Sequence, residues 1–248
     1  MLPYEEYAMR ELAMWQHQMV RPPSFTNRLA RKVQYKMNSF IPDRVHQAIT
    51  TTIKQMIRAV LFGAERVNRK PSGDILLFTK EKLVQERIDF YRKTAAAEGG
   101  ITGAGGFFLA LADFPLLLSL KLKMLYEIAA IYGHSVEDYK ERLYLLHIFQ
   151  LAFSSQEQRT QVYLQMVNWE EKKQLLPEDI NQFDWRTFQQ EYRDYIDLAK
   201  LAQLIPVIGA PVGAVVNYRL LNKLGATAIN AYRMRWLETH LKHQNLER

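Results

Sequence analysis

Glu98-Gly99-Gly100-Ile101-Thr102-Gly103-Ala104-Gly105-Gly106-Phe107-Phe108, running on into Leu109-Ala110-Leu111-Ala112-Asp113-Phe114-Pro115, holds five of the chain's 11 glycines. From Gly99 to Leu120 it carries one acid, Asp113, and no base. Glycine permits close backbone approach at an entropic cost that packing or binding must offset. A second stretch, Leu201 to Tyr218, carries no charge and contains Gly209 and Gly213. Gly99 and Gly103 are four apart, as are Gly209 and Gly213, the spacing at which small residues let helices approach closely.

Other uses of these glycines fit less well. A dinucleotide fingerprint needs a strand, then G-x-G-x-x-G, then a helix. Here Phe108 stands where the third glycine belongs, and Thr94-Ala95-Ala96-Ala97-Glu98 before it reads as helix. No Gly-Lys-Ser/Thr phosphate loop occurs anywhere in the chain. Both apolar runs approach the length of a membrane span, but Asp113, Pro115, Pro206 and Pro211 break them. A charge at mid-membrane costs about 2.5–3.5 kcal/mol, whereas Asp113 as the N-cap of a helix from Phe114 needs no membrane. Apolar hairpins buried in a core are therefore favoured over insertion.

Working outward, the periodicity is helical throughout. Pro3 to about Met19 forms one helix, closed by Pro22-Pro23. Ser24 caps a second, with Phe25, Leu29, Val33 and Met37 on one face, and Pro42 ends it. From Asp43, the residues Val45, Ile49, Ile53, Met56, Ile57 and Val60 share a face opposite Arg44, Lys54 and Arg58, with Gly63 as a stop. Residues 64–78 are a loop. Thr79 opens a helix ending at Gly99-Gly100, and Phe114 to Tyr132 forms the next, with Gly133 as a left-handed stop. Ser135-Val136-Glu137-Asp138 opens a helix to about Phe153. Shorter helices cover Ser155–Val167 and Trp169–Leu176. Asp184 caps Trp185 to Leu204, and a last helix runs from about Val212 to His240.

The fold expected is a single all-α domain of about nine helices with the two glycine/proline-rich apolar hairpins packed at its centre. Residues 1–70 supply basic amphipathic N-terminal helices, and 71–248 the rest of the same domain.

At 248 residues with 48% hydrophobic content, the chain has ample material for a core. It contains no cysteine, which excludes disulfides, thiolate metal sites and a cysteine nucleophile. Met1-Leu2-Pro3-Tyr4-Glu5-Glu6 shows no basic-then-apolar leader, so an intracellular location is expected. The net charge of +7 lies in residues 1–98, with 17 Lys+Arg against 10 Asp+Glu. Arg28, Arg31, Lys32, Lys36, Arg44, Lys54 and Arg58 form a candidate anionic-surface site. Phospholipid, nucleic acid or an acidic partner would suit it, as would a merely solvated face. No nucleic-acid recognition motif accompanies the charge.

Catalytic and metal signals are thin. His240 and His243 lack a third ligand, and His147 among Leu145, Leu146 and Ile148 reads as a core histidine. Neither G-x-S-x-G nor H-E-x-x-H is present. A candidate central site is Glu98, Gly99, Gly103, Gly105, Gly106, Asp113, Gly209, Gly213 and Asn217. Within it Glu98 and Asp113 could pair as acid and base, although helix-end chemistry explains both. No catalytic residue, metal ligand or cofactor is assigned.

Several runs resemble the EcsC protein family: Tyr91-Arg92-Lys93-Thr94-Ala95-Ala96-Ala97-Glu98-Gly99-Gly100, Ala112-Asp113-Phe114-Pro115, Glu127-Ile128-Ala129-Ala130-Ile131-Tyr132-Gly133, Glu141-Arg142-Leu143, and Leu204 through Asn217. The similarity covers about residue 45 to the C-terminus. Pro211 departs from the family pattern and argues against a continuous helix there. The resemblance implies a cytoplasmic protein encoded beside the ATPase and membrane subunits of an ABC transporter, whose loss perturbs secretion and intramembrane proteolysis. It supplies no reaction. The function expected is thus a non-enzymatic accessory protein at the inner face of the membrane, with transporter subunits and anionic lipid as partners. The alternative is a hydrolase-like enzyme of unknown substrate, with carboxylates near the glycine segment.

Overall fold

A computed structural model describes residues 2–22, 43–62, 73, 75–104, 114–195 and 209–246. Among these the chain is all-α, with nine α-helices and no strand. They are α1 (Pro3–Val20), α2 (Asp43–Phe62), α3 (Leu77–Ala104), α4 (Phe114–Tyr132), α5 (Tyr139–Phe153), α6 (Gln156–Met166), α7 (Trp169–Lys172), α8 (Trp185–Tyr195) and α9 (Gly209–Leu246). The helix expected from Phe25 to Met37 lies outside the described residues.

The frame is an antiparallel pair, α3 and α9. On α3 the residues Leu77, Glu81, Val84, Ile88, Tyr91 and Ala95 are buried, a four-three repeat that keeps one seam facing its partner. Across it, Glu81 meets Arg233 at 2.7 Å and Arg92 meets Asn222 at 2.9 Å, which fixes both direction and register. Gly225 makes close approach possible: a methyl built there would lie 2.6 Å from Ile88 Cδ1 and 2.8 Å from Cγ1. α5 is the most enclosed helix, with all 15 residues buried. α1 lies against α9, α6 and α3, and α2 against α5 and α4.

Local chemistry sets the helix ends. Pro3 opens α1, and Glu5 accepts the Leu2 backbone N–H at 2.9 Å. Gly133, at φ 99°, ends α4 in a Schellman turn, with His134 N–H on the Ala129 carbonyl and Gly133 N–H on that of Ala130. Asp184 accepts the Thr187 N–H at 3.1 Å to start α8, and Ser155 accepts that of Gln158 at 3.4 Å to start α6. The C-terminal carbonyl of Leu61 in α2 is taken by Arg142, which also holds the Val136 and Glu137 carbonyls.

Four expected boundaries shift. α3 starts at Leu77 and runs through Gly99 and Gly100 to Ala104, so those glycines do not stop it. The cap of α5 is Asp138, which accepts the Lys140 N–H at 2.8 Å; Ser135 instead accepts the Glu137 N–H in the preceding turn. The Trp169–Leu176 helix closes into a 3-10 turn after Lys172. α9 is continuous from Gly209 to Leu246. Pro211 falls in its first turn, where the missing N–H has no intrahelical partner to lose.

Gly225→Ala is expected to destabilise the protein by roughly 1–2 kcal/mol, overpacking at the seam outweighing the gain in helix propensity of about 1 kcal/mol. Ile88→Val, which removes the nearest of the atoms the new methyl would strike, should restore part of the loss in a urea-unfolding double-mutant cycle.

Candidate functional site

Two arginines near the C-terminal end of α9 organise the buried polar chemistry. Arg233 and Arg235 are two residues apart, so their side chains leave the helix in opposed directions. Arg233 grips Glu81 of α3 with two bonds, at 2.7 and 2.5 Å. The same carboxylate accepts the hydroxyls of Tyr4 at 2.6 Å and Tyr132 at 3.2 Å. Arg235, 1% exposed, holds Glu141 of α5 at 2.7 and 2.9 Å and Glu170 of α7 at 2.8 and 2.5 Å. Its guanidinium lies 4.7 Å from the centre of the Tyr144 ring. Tyr232 donates to Glu141 at 2.7 Å and stacks on Tyr132 at 4.9 Å, which joins the two clusters.

Electrostatics follow from this geometry. Burial acts to lower both arginine pKa values, but Glu81 and Glu141 outweigh it and hold each above the ordinary value. Burial raises Glu170, yet Arg235 and Lys173 prevail and bring it to about 2. His134 is lowered to about 4, chiefly by burial, against the attraction of Glu141. Its 3.8 Å approach to Glu141 is therefore a polar contact at neutral pH and not an ion pair. Glu81 and Glu141 are 5% and 4% exposed and clamped by guanidinium forks, so they are built to hold helices together rather than to move protons.

The residues singled out from sequence are distributed differently. Lys54 and Arg58 lie exposed on α2, opposite the buried Ile53, Met56, Ile57, Val60 and Leu61. Neither has an ion-pair partner among the described residues. Arg28, Arg31, Lys32 and Lys36 lie outside the described residues, as do Gly105, Gly106 and Asp113. Arg44 is in α2, and Gly99 and Gly103 are in the last turns of α3. The side chains of Arg44 and Glu98 are not among those described. Gly209 and Gly213 open α9, and the antiparallel course of α3 and α9 puts the two glycine-bearing helix ends at the same end of the pair. Asn217 is fully buried, with neither amide atom partnered among the described residues. Its convergence with Glu98 and Asp113 lies outside what is described. His147 is buried as expected, and His240 is an exposed residue stacked on Trp236. Among the described residues no group of His, Cys, Asp or Glu is arranged to hold a metal ion.

Glu81, Arg233, Arg235, Tyr232 and His134 belong to no motif in the sequence. A signal existed: Glu81 occupies a place on the buried seam of α3 where an apolar residue is expected. A lone charge on a core stripe implies a buried partner.

The model of the EcsC protein family matches residues 6–237. This chain belongs to the EcsC protein family. The match starts within α1, well before residue 45, so the family extends to the helix that supplies Tyr4 and Thr160's partner, the Met19 carbonyl. The protein EcsC of Bacillus subtilis (strain 168) is 44% identical over 231 residues, covering 93% of this chain and 95% of that protein. A second B. subtilis protein, the uncharacterised YdbA, is 30% identical over 232 residues, 91% of this chain and 83% of its own length. No solved structure matches the chain.

Two measurements test the buried clusters of this family member. Arg235→Leu leaves the buried Glu141 carboxylate without its cation, while the half-buried Glu170 keeps Lys173, and is expected to cost roughly 3–5 kcal/mol in urea unfolding. His134 and His147 are both held near 4 in the fold, chiefly by burial, against about 6.5 when unfolded. Their contribution is therefore intact above about pH 6.5 and lost as pH falls toward 4, by on the order of 1–3 kcal/mol each. Glu170 adds a further loss only between about pH 4.5 and 2. His147→Gln should flatten the upper part of that decline in a pH series of urea melts.

Proposed function

We propose that this EcsC-family chain is a non-enzymatic accessory protein acting at the cytoplasmic face of the membrane, beside the subunits of an ABC transporter. The observation that carries the reading is α2. Its apolar face is buried against α5 and α4, while Lys54 and Arg58 stand on the outward face with uncharged Gln47, Thr51, Gln55 and Ala59. Asp43 is the only acid in the helix. The outward face is thus basic without being apolar, the composition expected of a surface that meets anionic headgroups or an acidic partner electrostatically rather than by insertion. Among the described residues no helix is long and apolar enough to cross a membrane, which accords with attachment from one side. The transporter link rests on family membership.

Flotation with vesicles rich in phosphatidylserine at low salt is expected to carry the protein, and vesicles of phosphatidylcholine alone are not. Each basic residue near such a surface contributes about 1 kcal/mol, so Lys54→Glu with Arg58→Glu should weaken the association at least tenfold. Raising salt should abolish it. Equal flotation with neutral lipid, or none with anionic lipid, would overturn the membrane-face reading.

A further inference from the structure

A cavity of about 200 Å³ opens between α5, α6, α7 and α8, and its chemistry is unlike that of the basic face. Its wall is aromatic. The His147 ring stands edge-on to Trp169 at 5.8 Å and to Phe188 at 5.5 Å, and Phe188 in turn packs on Tyr192. Among the described residues no acid, lysine or arginine lines it. Burial holds His147 neutral at physiological pH.

Three residues of this lining each carry a buried polar atom without a hydrogen-bond partner among the described residues: Gln165 Oε1, Trp169 Nε1 and the Tyr192 hydroxyl. Trp169 is 4% exposed and Tyr192 1%. Buried polar groups in folded proteins are nearly always satisfied, so three orphans on residues that surround one cavity mark a place where something else supplies the partners. They offer an indole N–H that donates, an amide oxygen that accepts and a phenol that does either. Nearby Gln150 is already committed, giving its amide to the Tyr192 carbonyl at 3.3 Å. The remaining groups are thus left for a guest.

We infer that this cavity is a binding site for a small, neutral aromatic molecule carrying both a hydrogen-bond donor and an acceptor. Size sets the scale, because a dry cavity of about 150 Å³ accommodates benzene. The somewhat larger space here suits one ring with a polar substituent. Anions are disfavoured, since entry would strip their hydration and the described lining returns no cation. The site is therefore of opposite preference to the basic face of α2, and it stands independently of the membrane-face reading.

The test is saturation-transfer NMR on the full chain with benzamide, which offers an acceptor carbonyl and a donor amide, alongside benzoate of nearly the same shape. Benzamide is expected to receive saturation at millimolar concentration, with at least tenfold weaker association of benzoate. Tyr192→Phe, which keeps the ring and deletes the hydroxyl, should weaken benzamide at least fivefold while the thermal midpoint holds or rises. A site filled only by water would give no transfer to benzamide. That result, equal association of the two probes, or benzamide affinity unchanged in Tyr192→Phe would each overturn the assignment.

Discussion

The burial of two arginines on one helical segment is the constraint on which the rest depends. Removing a guanidinium from water costs several kcal/mol, and only closely placed carboxylates offset it. Arg233 and Arg235 meet that condition on opposite sides of α9, through Glu81 on α3 and Glu141 on α5. Apolar contacts alone would tolerate some sliding between these helices. Guanidinium forks do not, because a shift of one residue would leave both charges unpaired in the interior. Tyr4, Tyr132 and Tyr232 close the remaining lone pairs and extend the same constraint to α1 and α4.

Much of the architecture is legible in the sequence because it rests on local rules. Gly133 ends α4, Asp184 begins α8 and the apolar face of α2 turns inward, each for reasons contained within a few residues. The course of α3 through Gly99 and Gly100 is not local. Glycine lowers helix propensity, and a helix that passes through two of them draws its stability from packing that no short window contains. The arginine clusters are equally non-local: Glu81 and Arg233 are 152 residues apart in sequence. Arg142 illustrates the middle ground. It stands in the Glu141-Arg142-Leu143 run that marks the family, yet its task of holding the end of α2 shows only once the carbonyls it meets are placed.

The two surfaces proposed to bind divide their chemistry. The outward face of α2 is cationic, wet and open, suited to weak, salt-dependent and rapidly reversible association. The aromatic cavity is small, uncharged and partly enclosed, suited to shape and hydrogen bonding. Both are built against α5: α2 packs on it, and His147 and Gln150 face the cavity from it. A helix with every residue buried, and with Arg142 tying its start to the end of α2, gives the two surfaces a shared rigid base.

The 38 residues of α9 correspond to about 57 Å of continuous helix. It is tied to α3 at three levels, by the Arg233–Glu81 fork, by Gly225 seated on Ile88 and by Arg92 on Asn222. From Arg233 to Asn222 these ties span about 17 Å of the rod. A single clamp would leave the crossing angle free, whereas ties spread along the seam resist tilting as well as sliding.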